Sequence, residues 1–153
     1  MRKFFIVSVI LFLALCAGAI ITAGGNLLFF LNIPSLILVV GIPFVMLLSN
    51  HSLREMGAYF SAGFRSGEER ADPSVIKKGV EFFTAMRDYL ILSGFVGALT
   101  GVMTMLSLFE DVDRVGFGAA LSLMTIFYAV LLIMLIALPF KHGLHRRLIE
   151  LEE

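Results

Sequence analysis

Apolar residues fill this chain in long blocks, and the charged residues fall between the blocks rather than alternating with them. Residues 4–53 contain no Lys, Arg, Asp or Glu, and neither do residues 89–109 or 116–140. One membrane-spanning helix needs about 20 predominantly apolar residues, so the first block has room for two. It divides at A-G-G-N, around Gly24 and Asn26, and again at Asn32 and Pro34. The pattern therefore predicts four spans, at about 4–24, 33–50, 89–109 and 116–140. A charge at mid-membrane costs about 2.5–3.5 kcal/mol on insertion scales, so uninterrupted runs of this length are a strong signal.

Within the third span, small residues fall on one face. Gly94, Gly97, Ala98 and Gly101 lie at i, i+3, i+4 and i+7 of a helix. In water each glycine would cost such a helix about 1 kcal/mol relative to alanine. In a bilayer nothing competes for the backbone hydrogen bonds, so the helix survives and the stripe becomes a groove for close packing of another helix. Phe95, Val96, Leu99, Val102 and Leu106 form the bulky opposite side. The fourth span has a matching small face at Ser122, Thr125 and Ala129, preceded by Gly116, Gly118, Ala119 and Ala120.

Between the second and third spans, residues 51–88 read as two helical pieces. Leu53, Met56, Tyr59, Phe60 and Phe64 recur at helical spacing. They predict a helix that continues the second span or lies along the inner membrane interface. R-S-G-E-E-R-A-D-P, 65–73, reads as a turn, and Asp72-Pro73-Ser74 can start the next helix. Val75, Ile76, Gly79, Val80, Phe83 and Met86 then lead into the third span as one long helix. No separate soluble domain fits, so the chain reads as a single membrane domain with a tail at 141–153.

Orientation follows from the basic residues. All but Arg114 of the 12 Lys and Arg lie in the N-terminus, the 50–88 loop or the tail. The positive-inside rule then places both termini in the cytoplasm and pairs the spans as two hairpins. Composition agrees: 59% of the 153 residues are hydrophobic, 16% are charged, and the mean hydropathy is +0.95. A soluble domain is about 25% charged. The zero net charge offers no basic field for nucleic acid. A single cysteine, Cys16, excludes a disulfide framework and a cysteine-based zinc site. The opening M-R-K-F-F-I-V-S-V-I also has the shape of a signal peptide. Leu15 is bulky where the lipoprotein box L-A-L-C wants a small residue, so an uncleaved span is expected, with cleavage at A-G-A, 17–19, the alternative.

Chemistry-bearing residues are few, and an enzyme is not expected. No Asp, Glu, Lys, Arg or His lies within the four spans to act as acid, base or ligand. His142 and His145 stand among Lys141, Arg146 and Arg147, which reads as an interfacial tail rather than a metal site. No metal or cofactor is expected. Thr100 and Thr104, one turn apart, join Ser122, Thr125 and Ala129 as residues that could line an ion path or face a partner helix. Any one of these hydroxyls is most simply a helix-packing group bonded to its i−4 carbonyl. Pro139 reads as a terminator or a hinge.

The run G-F-V-G-A-L-T-G-V-M-T-M-L-S-L-F-E-D-V-D-R-V-G, 94–116, resembles the flagellar stator MotA/PomA type of the MotA/TolQ/ExbB proton-channel superfamily. Leu121, Thr125, Tyr128, Leu131, Leu132, Leu138 and Pro139 are similar to its fourth span, and G-G-N-L-L-F-F-L-N-I-P-S-L-I-L-V-V-G, 24–41, to its first hairpin. The resemblance implies a homopentameric ring in the bacterial inner membrane, around the helices of a single-span MotB/ExbD-like partner. The third and fourth spans would line the centre, and a membrane aspartate of the partner would carry the ion. It implies a subunit of a motor or energiser complex driven by an ion-motive force. A non-conducting scaffold ring of the same fold is the alternative. The chain departs from that family in lacking the large cytoplasmic domain between the second and third spans. It has Ile91 where the family has proline, Ala98 where the family has threonine, and Ile126 in place of the second of two threonines. Fewer hydroxyls on the path point to protons rather than sodium.

Overall fold

The computed structural model of the chain describes residues 2–26, 30–64, 72–107 and 112–152, and every regular element among them is helical. The predicted loops at 25–32, 65–73 and 110–115 lie wholly or partly outside the described residues. Two compact units emerge, residues 1–32 and 33–153.

The first unit is one helix, α1 (Arg2–Thr22), apolar around its whole circumference as a lipid-surrounded helix must be. Its 21 residues span about 31 Å, the thickness of a bilayer core. The A-G-G-N break ends it as expected. Gly24 takes φ +75°, and the Gly25 N–H reaches back to the Ile20 carbonyl while the Gly24 N–H bonds to Ile21. This crossed pair closes the helix, and the left-handed turn is one that glycine adopts without a Cβ penalty.

In the second unit, α2 (Ile33–Leu48) buries one stripe, Ser35, Val39, Pro43 and Leu47, each four residues from the last. Ile37, Val40 and Val45 stay exposed on the other sides. Pro43 has no N–H to give the Val39 carbonyl. The Ser93 hydroxyl, which donates to Leu90 at 2.9 Å, sits 3.5 Å from that carbonyl. Helix α2 is thus only 16 residues, about 24 Å. After a turn at 49–52 the chain bends by 109° into α3 (Leu53–Phe64). A reciprocal cap starts α3: the Ser52 hydroxyl accepts the Glu55 N–H at 3.3 Å, and Glu55 accepts the Ser52 N–H at 2.8 Å.

The segment predicted as the third span lies in α4 (Pro73–Ser107), 35 residues and about 52 Å, so the single long helix predicted there is present. Asp72 caps it through the Ser74 N–H at 2.9 Å, with Pro73 in the first helical position. The fourth span is α5 (Val112–Leu132), which passes through a π-helical segment (Ile133–Ala137) into α6 (Leu138–Glu152). Pro139 is therefore not a terminator. A proline ring clashes with the carbonyl four residues back. The wider turn avoids this, with the Leu138 N–H bonding five residues back to Ile133.

The tail expected at 141–153 is helical as part of α6 as far as Glu152, docked by Phe140, Leu144 and Arg147 at i, i+4 and i+7. Phe60, Phe82, Phe83 and Phe140 meet in one aromatic cluster, with ring centroids 5.1–6.1 Å apart and Phe83 stacked on Phe140. Three helices are long and apolar enough to cross a membrane, or four if α2 and α3 count together as one span. Such helices mark a multi-pass membrane protein.

Candidate functional site

The small-residue groove of α4 is filled by α5 of the same chain. A Cβ at Gly94 would lie 2.9 Å from the Ala129 Cβ, and one at Gly97 2.5 Å from the Thr125 Cγ2. At Gly101 the neighbours are backbone: the Ser122 nitrogen at 2.5 Å and the Gly118 oxygen at 2.7 Å. Gly118 returns the contact, since a Cβ there would meet the Met105 nitrogen at 2.6 Å and the Gly101 oxygen at 2.8 Å. Two helices can approach this closely only where neither carries a side chain, and this is how transmembrane pairs gain dispersion energy without a hydrophobic drive between them.

Hydroxyls lock the seam. Ser122 Oγ donates across it to the Ala98 carbonyl at 2.6 Å. Thr125, fully buried, donates within its own helix, with the Leu121 and Ser122 carbonyls at 3.1 and 2.9 Å. From the α2 side, Ser35 Oγ donates to the same Leu121 carbonyl at 3.3 Å. No buried side-chain nitrogen or oxygen among the described residues lacks a partner. The hydroxyls of the seam are saturated.

The five residues expected to share an ion path therefore divide. Ser122, Thr125 and Ala129 lie in the α4–α5 seam with Gly94, Gly97 and Gly101, while Ala98 borders it through its carbonyl. Thr100 and Thr104 stand on a different face of α4. Their hydroxyls bond back to the Val96 and Thr100 carbonyls, each at 2.8 Å, and Ser107 bonds to Thr104 at 2.9 Å. This row begins at Ser93, which α2 covers, and emerges at the exposed Thr100. Seven residues of helix carry Thr100 about 10 Å past Ser93. Ser107 extends the row, a position the sequence reading did not single out although its i+3 spacing from Thr104 marks it.

The charge layout adds one feature. The last charged residues before the apolar part of α4 are Arg87 and Asp88, and the Arg87 guanidinium bonds Asp88 through Nε at 2.9 Å and through a terminal nitrogen at 2.7 Å. His51 packs edge-on against Tyr59 and Phe82 instead of pointing into a span. His142 and His145 are exposed on α6, and no group of three or more metal-ligating side chains forms among the described residues. Compared with known proteins, the sequence matches no family model and no curated protein.

Proposed function

We propose that this chain is a non-enzymatic, ring-forming subunit of a membrane motor or energiser of the MotA/TolQ/ExbB kind, driven by an ion-motive force, most simply of protons. In this reading it sits in a bacterial inner membrane with both termini cytoplasmic, and five copies surround a single-span partner that brings the ion-carrying aspartate. The observation that carries the reading is the row Thr100, Thr104 and Ser107. It is a line of hydroxyls on the apolar part of α4, exposed at Thr100 and Ser107 and half-buried at Thr104, in spans that hold no Asp, Glu, Lys, Arg or His. A protonated carboxyl on a neighbouring helix would find acceptors there. A transmembrane potential supplies about 2.3 kcal/mol per charge per 100 mV to move such a group's ion. The short 51–88 segment leaves little surface for engaging a flagellar rotor, so the process powered is of another kind.

The test is purification of the full chain from its native membrane, with particle symmetry read by electron microscopy. A fivefold ring holding a single-span protein with a membrane Asp supports the reading. A monodisperse monomer without such a companion overturns it. The scaffold alternative has its own support, because Ser122 spends its hydroxyl proton closing the hairpin and Thr125 spends its own within α5. If the ring serves only assembly, removing the Thr100 and Thr104 hydroxyls leaves its activity unchanged.

A further inference from the structure

Helix α3 leaves apolar side chains open on one side only. Leu53 is 65% exposed and Phe64 46% exposed. At about 100° per residue, Leu53, Gly57, Phe60 and Phe64 fall within a sector of roughly 60°, and Glu55 lies about 180° from Phe64. Of the packed residues, Met56 and Tyr59 occupy the arc between them, and Ala62 lies about 20° beyond Glu55. The exposed apolar residues thus form a ledge beside the packed face, not a scatter.

The contacts show which way that ledge points. Antiparallel pairing sets Phe83 of α4 level with Phe140, and Gly79 level with Leu144, farther from the spans. On α3, Phe60 and Phe64 meet the upper level: Phe60 lies 5.1 Å from Phe83, and Phe64 lies 4.7 Å from Phe140. Tyr59 packs against Gly79, and the Ala62 carbonyl accepts Arg147 Nη1 at 2.8 Å. Those lower contacts lie farther out along α4 and α6, by about 6 and 10 Å of helix. So the Leu53–Phe64 side faces the apolar spans, and the Glu55 side faces away. The 109° bend after α2 lays the helix across the bundle rather than along it.

We infer that α3 is an in-plane strap whose ledge rests on the lipid leaflet at that end of the bundle, with Leu53 and Phe64 inserted at the boundary between headgroups and acyl chains. Interfacial amphipathic helices bind this way, apolar face about 5–10 Å deep and polar face in water. Arg54 and Ser61, both exposed, follow the ledge at roughly 80–100° on the helical wheel, where headgroups would lie. The inference rests on α2 crossing the bilayer and not on the ring: failure to find a partner leaves it standing, and its own failure leaves the ring reading standing.

The chain contains no tryptophan, so each introduced one is a unique probe. Leu53→Trp, Phe64→Trp and, as a control, Ala58→Trp would be made in the full chain and reconstituted in phosphatidylcholine–phosphatidylglycerol vesicles with brominated acyl chains. Bromine should quench the Leu53→Trp and Phe64→Trp variants several-fold more than Ala58→Trp, with acrylamide showing the reverse order. Equal bromine quenching at all three positions overturns the proposal. So does protection of the two ledge probes from both quenchers, which would mean a second copy or another protein covers them. The two positions lie at opposite ends of α3, so a variant that misfolds leaves the other to decide.

Discussion

Two glycines on α5, two residues apart, should respond in opposite ways to the same substitution. Among the described residues, a Cβ at Gly116 meets nothing within 4 Å. A Cβ at Gly118 meets the Met105 nitrogen at 2.6 Å and the Met105 Cα at 2.8 Å, and both are backbone atoms with no rotamer to escape into. Carbon contacts are most favourable at about 3.5–4.0 Å, so Gly118→Ala must push α4 and α5 apart by about 0.7–1 Å. A gap of that size forfeits about a quarter to a half of each dispersion contact along the seam. It also stretches the 2.6 Å bond from Ser122 to Ala98 beyond useful length. Overpacking of this kind costs about 1–3 kcal/mol, and the gain in helix propensity offsets about 1 kcal/mol at most.

Gly118→Ala should therefore lower stability by up to about 2 kcal/mol net of that offset, while Gly116→Ala should be neutral or stabilising by up to about 1 kcal/mol. Unfolding of the full chain in mixed micelles by increasing dodecyl sulfate would measure both. Equal midpoints, or a worse result for Gly116→Ala, would refute the seam as described. Combining Gly101→Ala with Gly118→Ala should cost less than the sum, because the first substitution opens the gap that the second requires.

Gly97→Leu should disrupt folding and any assembly built on it far more than Val96→Leu, since Val96 points outward; similar crosslinked yields for both would contradict this. Arg147→Gln removes a charge-assisted donor from the Ala62 carbonyl and should cost about 1.5–3 kcal/mol, read as faster amide exchange over 59–64. Backbone N–H bonds from Ser52 and Ser74 hold the Glu55 and Asp72 carboxyls below their ordinary range. Their capping is therefore in force at neutral pH and is lost as pH falls through those depressed values, so the first turns of α3 and α4 should fray in acid before the seam does. Ser52→Ala keeps the backbone bond and removes the hydroxyl one, so the Glu55 carboxyl should titrate part of the way back toward its ordinary range, by NMR of the side chain, and an unchanged titration would remove the Ser52 hydroxyl from the explanation.

The apolar blocks made α1, α2, α4 and α5 legible, because burial in lipid leaves only one signal to read. Local chemistry was equally plain where one residue decides: Gly24 ends a helix and Asp72-Pro73 starts one. The helix through Pro139 was hidden, because the cost of a proline depends on whether the preceding turn can widen, which is a property of packing. The docking of α6 was hidden for another reason. Phe140, Leu144 and Arg147 form a proper stripe, but Lys141, His142, His145 and Arg146 surround them, and the partners of the stripe lie on α3 and α4, tens of residues away. The S-x-x-E signature at Ser52 and Glu55 would have located the start of α3. The site residues divided because sharing a helix pair is not sharing a face: 3.6 residues per turn put Thr100 about 80° and Thr104 about 40° from the middle of the Gly97–Gly101 line.

That division separates fold from function in a way mutation can resolve. Thr125 is fully buried, and its hydroxyl serves the Leu121 and Ser122 carbonyls of its own helix. Thr125→Val keeps the shape and loses this bond, so it should cost about 0.6–1.7 kcal/mol of stability, as intramembrane hydroxyl bonds do. Thr100 and Thr104 also spend their protons on their own helix, but their oxygens keep lone pairs that an outside donor can use. Such a donor could be a protonated carboxyl on an adjacent helix. The double substitution Thr100→Val with Thr104→Val removes those acceptors at exposed positions and should leave the unfolding midpoint nearly unchanged. If the chain works as an ion-driven ring, proton flux into reconstituted vesicles should fall with that double variant and follow only stability with Thr125→Val. Flux lost with Thr125→Val in a fully folded ring, and retained without the two exposed threonines, would put the path in the seam and refute the assignment to the outer face of α4.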